Sequence, residues 1–130
     1  MKQKFSKKWK SSRQVRKQRK YKFNAPLHIR HKLLSANLSK ELRKKYRRRN
    51  FPLRKNDTVK VMRGKFRGKT GKVNFVNLKN LKVGIEGIQI QKKDGTKVNA
   101  YINPSKLQII ELNLDDKERI QSLERKQNAH

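Results

Sequence analysis

The sequence predicts a mainly β chain: a small closed barrel of five short strands, with a basic N-terminal arm, short docked helices and a C-terminal helix. Three observations lead there. Apolar residues alternate with polar ones in short runs between residues 57 and 109, at the period of a half-buried strand. Turn formers punctuate those runs. Charge divides the chain, with net +19 over residues 1–50, +10 over 51–112 and zero over 113–130. The expected organisation is therefore a basic extension with two short helices (1–50), the barrel (51–112) and a helical tail (113–130).

The strands come in order. Val59 and Val61 alternate in the first, Val73 and Phe75 in the second. Leu81, Val83 and Ile85, continuing to Ile88 and Ile90, make the third; Asp94-Gly95 then signals a turn. Val98, Ala100 and Ile102 make the fourth, Asn103-Pro104-Ser105 interrupts, and Leu107 and Ile109 make the fifth. Five short strands in so few residues are the mark of a small closed barrel. Between the first two lies Arg63-Gly64-Lys65-Phe66-Arg67-Gly68-Lys69-Thr70-Gly71-Lys72, in which each glycine precedes a lysine. Gly64, Gly68 and Gly71 let a tight loop change direction. The lysines and arginines give it a dense positive field, suited to phosphate through side chains and free backbone N–H groups.

This stretch resembles the KOW motif of ribosomal proteins and transcription elongation factors. The matched positions are Val59, Val61, Gly64, Arg67, Gly68, Gly71 and Val73. The resemblance implies an SH3-like barrel.

Ahead of the barrel, Met1 to Phe23 is rich in Lys and Arg with scattered aromatics, and reads as an extended arm that orders against nucleic acid. Its aromatics could stack on unpaired bases or pack on the barrel. Asn24 and Pro26 open a first short helix running to Ser35. Ser39 caps a second, running to about Arg49, with Glu41 at its positive end and Arg47, Arg48 and Arg49 at its negative end. Leu38, Leu42 and Tyr46 fall four apart and form its docking stripe. Beyond the barrel, Asp115-x-x-Glu118 resembles a capping box that opens the tail helix, with Ile120 and Leu123 on one side. This helix reads as a plain amphipathic appendage, frayed over residues 128–130.

Composition narrows function. Against 38 Lys and Arg stand 9 Asp and Glu, a formal net charge of +29. Such a chain repels itself, and a polyanionic partner is the natural explanation. The absence of cysteine excludes disulfides, zinc knuckles and thiol catalysis. No apolar run reaches the roughly 20 residues that span a bilayer, and none follows the basic N-terminus as in a secretory signal. That N-terminus has too little apolar content for a mitochondrial presequence. His28 and His31, flanked by Arg30 and Lys32, make a poor metal pair, and no metal or cofactor is expected. Gly64-x-x-x-Gly68-Lys69-Thr70 is one residue short of a P-loop and joins strand to strand. No catalytic constellation stands out, so no enzyme and no small-molecule substrate are expected.

Four longer runs add a wider resemblance: Phe23-Asn24-Ala25-Pro26-x-His28-Ile29-Arg30, Leu38-Ser39-Lys40-Glu41-Leu42-Arg43-x-Lys45-Tyr46, Pro52-Leu53-Arg54-Lys55-Asn56-Asp57 and Pro104-Ser105-Lys106. In this order they resemble the eukaryotic and archaeal form of the universal large-subunit ribosomal protein twenty-four, called protein twenty-six in eukaryotes. The resemblance implies a structural constituent of the large subunit that binds rRNA directly, supports early assembly and lies near the nascent-chain tunnel exit. It implies large-subunit rRNA and neighbouring ribosomal proteins as partners, and ribosomes of the cytoplasm as the location, with nucleolar assembly in a eukaryote. The expected phosphate contacts are Arg63, Lys65, Arg67, Lys69 and Lys72 in the loop, Arg13, Arg16, Lys17, Arg19 and Lys20 in the arm, and Arg43, Arg47, Arg48 and Arg49 in a second patch. A transcription-elongation KOW module, or a generic basic protein that compacts nucleic acid, remain as alternatives.

Overall fold

The computed structural model describes residues 5, 6, 8, 9 and 11–129. The parts of the predicted arm and frayed tail that fall on the other positions lie outside the described residues.

All five strands expected from the alternating pattern form: β3 (Thr58–Val61), β4 (Thr70–Asn77), β5 (Lys82–Gln91), β6 (Lys97–Ile102) and β7 (Leu107–Glu111). Their inward residues make the core, with Val59, Val61, Val73, Val83, Ile85, Ala100, Leu107 and Ile109 all buried. β3, β4, β5 and β6 follow one another antiparallel, and β7 returns antiparallel to β3.

The barrel does not close, and the sheet has seven strands among the described residues. Two more strands, β1 (Ser35–Leu38) and β2 (Asn50–Pro52), complete the sheet in the order β2-β1-β7-β3-β4-β5-β6. β1 runs parallel to β7, pairing Asn37 with Gln108 and Leu38 with Ile109. The physical reason lies at β7, whose second edge is taken by β1 instead of by closure onto the far end of the sheet. Ala36 and Leu38 alternate toward the core, a signal only two residues long. Leu38 therefore heads no helical stripe; it is a strand residue.

Around this sheet sit four α-helices among the described residues. α1 (Val15–Asn24) is helical where an extended arm was expected. It is an uninterrupted run of mostly Lys, Arg and Gln, good helix formers free of Gly and Pro. None of its residues is buried. Asn24 ends α1 and does not cap the next helix, because α2 (Leu27–Leu33) starts directly after Pro26. α3 (Lys40–Tyr46) begins as predicted, with the Ser39 hydroxyl accepting from the Leu42 N–H. It ends earlier than predicted, at Arg47, which takes a left-handed φ of 53°. Its inner face presents buried Tyr46 and half-buried Leu42 to the core.

α4 (Lys117–Asn128) is capped by Asp116, one residue later than the capping-box reading, with the Asp116 carboxylate accepting from the Glu118 N–H at 3.0 Å. Nor is it an appendage. Leu123 is fully buried, and Arg119, one turn before it, is only 3% exposed. No helix among the described residues is long and apolar enough to cross a membrane.

Candidate nucleic-acid interface

The glycine loop spans the end of β3 and the start of β4. Positive φ at Gly64 (95°) and Gly68 (88°) turns it. The N–H of Gly68 donates to the Val61 carbonyl at 2.8 Å, that of Arg67 to Gly64 and that of Lys69 to Phe66. Those three amides are spent inside the loop, which leaves its side chains as the main attraction for anions. Gly71 turns nothing. It lies within β4, where a Cβ would sit 2.7 Å from the Glu86 carbonyl oxygen on β5. Half-buried Phe66 anchors the loop to the core, with the Lys65 and Lys69 ammonium groups 5.9 and 5.3 Å from its ring centre. Arg63, Lys65, Arg67, Lys69 and, on β4, Lys72 are all exposed.

In the arm, Arg13 precedes α1, while Arg16, Lys17, Arg19 and Lys20 lie on it; all five are exposed. The nearby aromatics choose one another: Tyr21 stacks on Trp9 at 4.5 Å between ring centres, and Phe5 lies 4.9 Å from Tyr21.

The third predicted group divides. Arg47 and Arg49 are exposed. The Arg43 Nε donates to the Leu38 carbonyl at 2.9 Å, which ties α3 to β1. Arg48 donates to the Ser122 carbonyl of α4, and its guanidinium lies 5.4 Å from the Phe51 ring centre.

Sequence reading missed a buried ion pair. Asp57, singled out in the sequence only as the end of the run Pro52 to Asp57, is fully buried and accepts from Arg119 at 2.7 Å (Oδ1) and 2.6 Å (Oδ2). The N–H groups of Arg54 and Asn113 each add a bond of 2.9 Å. Arg119 also donates to the carbonyls of Asn113 and Pro52. One signal was legible: Arg119 precedes Leu123 by four residues and so shares its helix face. At the surface, the guanidinium of Arg54 beside Asp116, followed by the Glu118 N–H, holds the Asp116 carboxyl below the usual aspartate range.

These two, Arg54–Asp116 and Arg119–Asp57, are the ion pairs among the described residues. Neither uses a predicted contact residue, and the exposed cations of loop and arm face outward without carboxylates. No group of three or more His, Cys, Asp or Glu able to hold a metal gathers among the described residues.

Sheet, loop and cationic helices thus make a scaffold protein with a surface that a polyanion would neutralise. The model of the family that joins the eukaryotic ribosomal proteins L26 to their archaeal L24 counterparts matches residues 12–126. The chain belongs to that family. It is 50% identical over 115 residues to the large ribosomal subunit protein uL24 of Methanosphaera stadtmanae, covering 88% of this chain and 98% of the relative. Identity to the uL24 proteins of Methanospirillum hungatei and Korarchaeum cryptofilum is 47% over 112 residues and 50% over 110. Those matches cover 86% and 85% of this chain, and 93% and 84% of the relatives. The chain is accordingly a structural constituent of the large ribosomal subunit, located in ribosomes, and not an enzyme.

Proposed function

We propose that the chain binds large-subunit rRNA directly, chiefly through phosphates. The loop cations Arg63, Lys65, Arg67, Lys69 and Lys72 make one contact set. Arg13, Arg16, Lys17, Arg19 and Lys20 make a second, threading between rRNA helices, and Arg43, Arg47, Arg48 and Arg49 a third. The observation that carries this is that these side chains have no carboxylate partners among the described residues, in a chain of net charge +29. A-form RNA is met through backbone and 2′-OH, so charge and shape suffice. The same reading makes the protein an early-assembling subunit near the nascent-chain tunnel exit, beside other large-subunit proteins. It would work in cytoplasmic ribosomes, with assembly in the nucleolus if the cell is eukaryotic. Family membership supports these finer points.

Binding to rRNA fragments, measured across salt concentrations, tests the core of it. About 10 phosphate contacts give a log–log slope of roughly −7 to −9. Replacing Lys65, Arg67 and Lys69 together by Ala makes the slope shallower by roughly 2 to 3, with an unchanged circular dichroism spectrum. Unchanged affinity would show that the loop faces solvent or protein.

A further inference from the structure

A cleft of about 640 Å³ opens between α2, β2 and α4, and no residue of the glycine loop lines it. Its walls carry Lys32 and both histidines from α2, Arg48 and Arg54 beside β2, and Arg125 from α4. Glu118 is the single acid among the residues that line it. Arg54 is engaged by Asp116, whereas Lys32, Arg48 and Arg125 have no carboxylate partner among the described residues. Arg119, on the same wall, and Arg48 each retain a buried Nε–H without an acceptor. Both guanidiniums lie by the Phe51 ring, at 5.3 and 5.4 Å from its centre. The cleft is therefore rich in fixed positive charge and short of acceptors.

Its position relative to the loop follows from β3. Asp57, just before the first residue of β3, holds Arg119 in the cleft wall. At the other end, Val61 exchanges hydrogen bonds with Lys69 and Gly68 of the loop. The two cationic features are thus tied to opposite ends of one strand, whose end points Asp57 and Val61 lie roughly 13 Å apart at about 3.3 Å per residue.

We propose that this cleft is a further phosphate site, which shares Arg48 with the third contact set and takes the backbone of an RNA segment distinct from the one on the glycine loop. The inference rests on the rRNA-binding reading and deepens it: the protein clips two backbone segments together across the length of β3. Lys32 and Arg125, both exposed, make the outer contacts, and Arg48 lines the inner wall.

The test uses the full chain. Lys32→Ala/Arg125→Ala is expected to keep the wild-type melting temperature, weaken binding to rRNA fragments roughly tenfold near physiological salt, and make the salt slope shallower by roughly 1.5. Combined with the loop triple substitution, the losses add in log Kd, as they do for sites further apart than about 10 Å. Lys32→Arg/Arg125→Lys retains binding. An alanine variant that matches wild type in affinity and slope, while the loop variant is impaired, overturns the cleft site and leaves rRNA binding standing. If the wild-type chain binds no rRNA, both readings fall. Inorganic phosphate, followed through the imidazole resonances of His28 and His31, separates the sources. RNA that displaces phosphate from those resonances supports the proposal; phosphate binding indifferent to RNA marks a site for a free anion only and refutes it.

Discussion

Asp57 is a carboxylate with no exposed surface, saturated by four hydrogen bonds from three parts of the chain. Removing one partner strands the other charge in a dry site, which typically costs about 3–5 kcal/mol. Arg119→Ala is thus expected to lower unfolding free energy by that amount in a urea titration. Asp57→Ala/Arg119→Ala loses much less than the sum of the single changes, since neither charge is left alone; strict additivity would mean the pair is not coupled. Asp116 behaves differently because it is at the surface. Its folded pKa is lowered from the ordinary 3.8 by Arg54 and the Glu118 N–H. The stabilisation it gives is present above that ordinary value and disappears as pH falls through the lower folded one. Acid titration by circular dichroism should show wild type losing α4 helicity below about pH 4, with Asp116→Asn already lower at neutral pH and flatter in acid.

Among elements, the β3–β4 hairpin combines two different uses of glycine. Gly64 and Gly68 turn the loop, whereas Gly71 lets β4 pass close to β5. A methyl group at Gly71 would meet the Glu86 backbone oxygen at 2.7 Å and the Ile85 side chain at 2.8 Å. Backbone cannot yield as a side-chain end can, so Gly71→Ala is expected to cost about 1–3 kcal/mol, read as a lower denaturation midpoint. An unchanged midpoint would mean that β5 shifts freely. The five strands with sustained alternation were legible beforehand, as was the Ser39 cap. β1 and β2 were not: with four and three residues they are too short for a period to register, and pairing with β7 is what makes β1 a strand and gives β2 its neighbour. Likewise, the Leu38-Leu42-Tyr46 spacing fits a helix, yet Leu38 belongs to β1 because a backbone bond from the Ser39 N–H to the Ile109 carbonyl holds that segment along β7.

At the scale of the whole molecule, net charge governs behaviour. With +29 charges and two ion pairs among the described residues, self-repulsion opposes the folded state. Screening lengthens or shortens with salt, from about 30 Å at 0.01 M to about 8 Å at 0.15 M. The isolated protein is therefore expected to melt several degrees higher at 0.15 M than at 0.01 M salt, by scanning calorimetry. A melting temperature that falls over this interval would show that attractive pairs outweigh repulsion. RNA produces the larger gain, since a ligand for the folded state stabilises it by mass action.

The sequence by itself determined the charge imbalance, the cationic glycine loop, five strands and the family, because composition, alternation and ordered motifs are local properties of a chain. Only the tertiary structure decided that the sheet stays open with seven strands, that α4 is part of the core and that the cations of the α2–α4 cleft converge. Each of these depends on pairing across distant residues, such as Asp57 with Arg119 or β1 with β7. A buried arginine and an exposed one are spelled alike, and only the fold removes water from one of them.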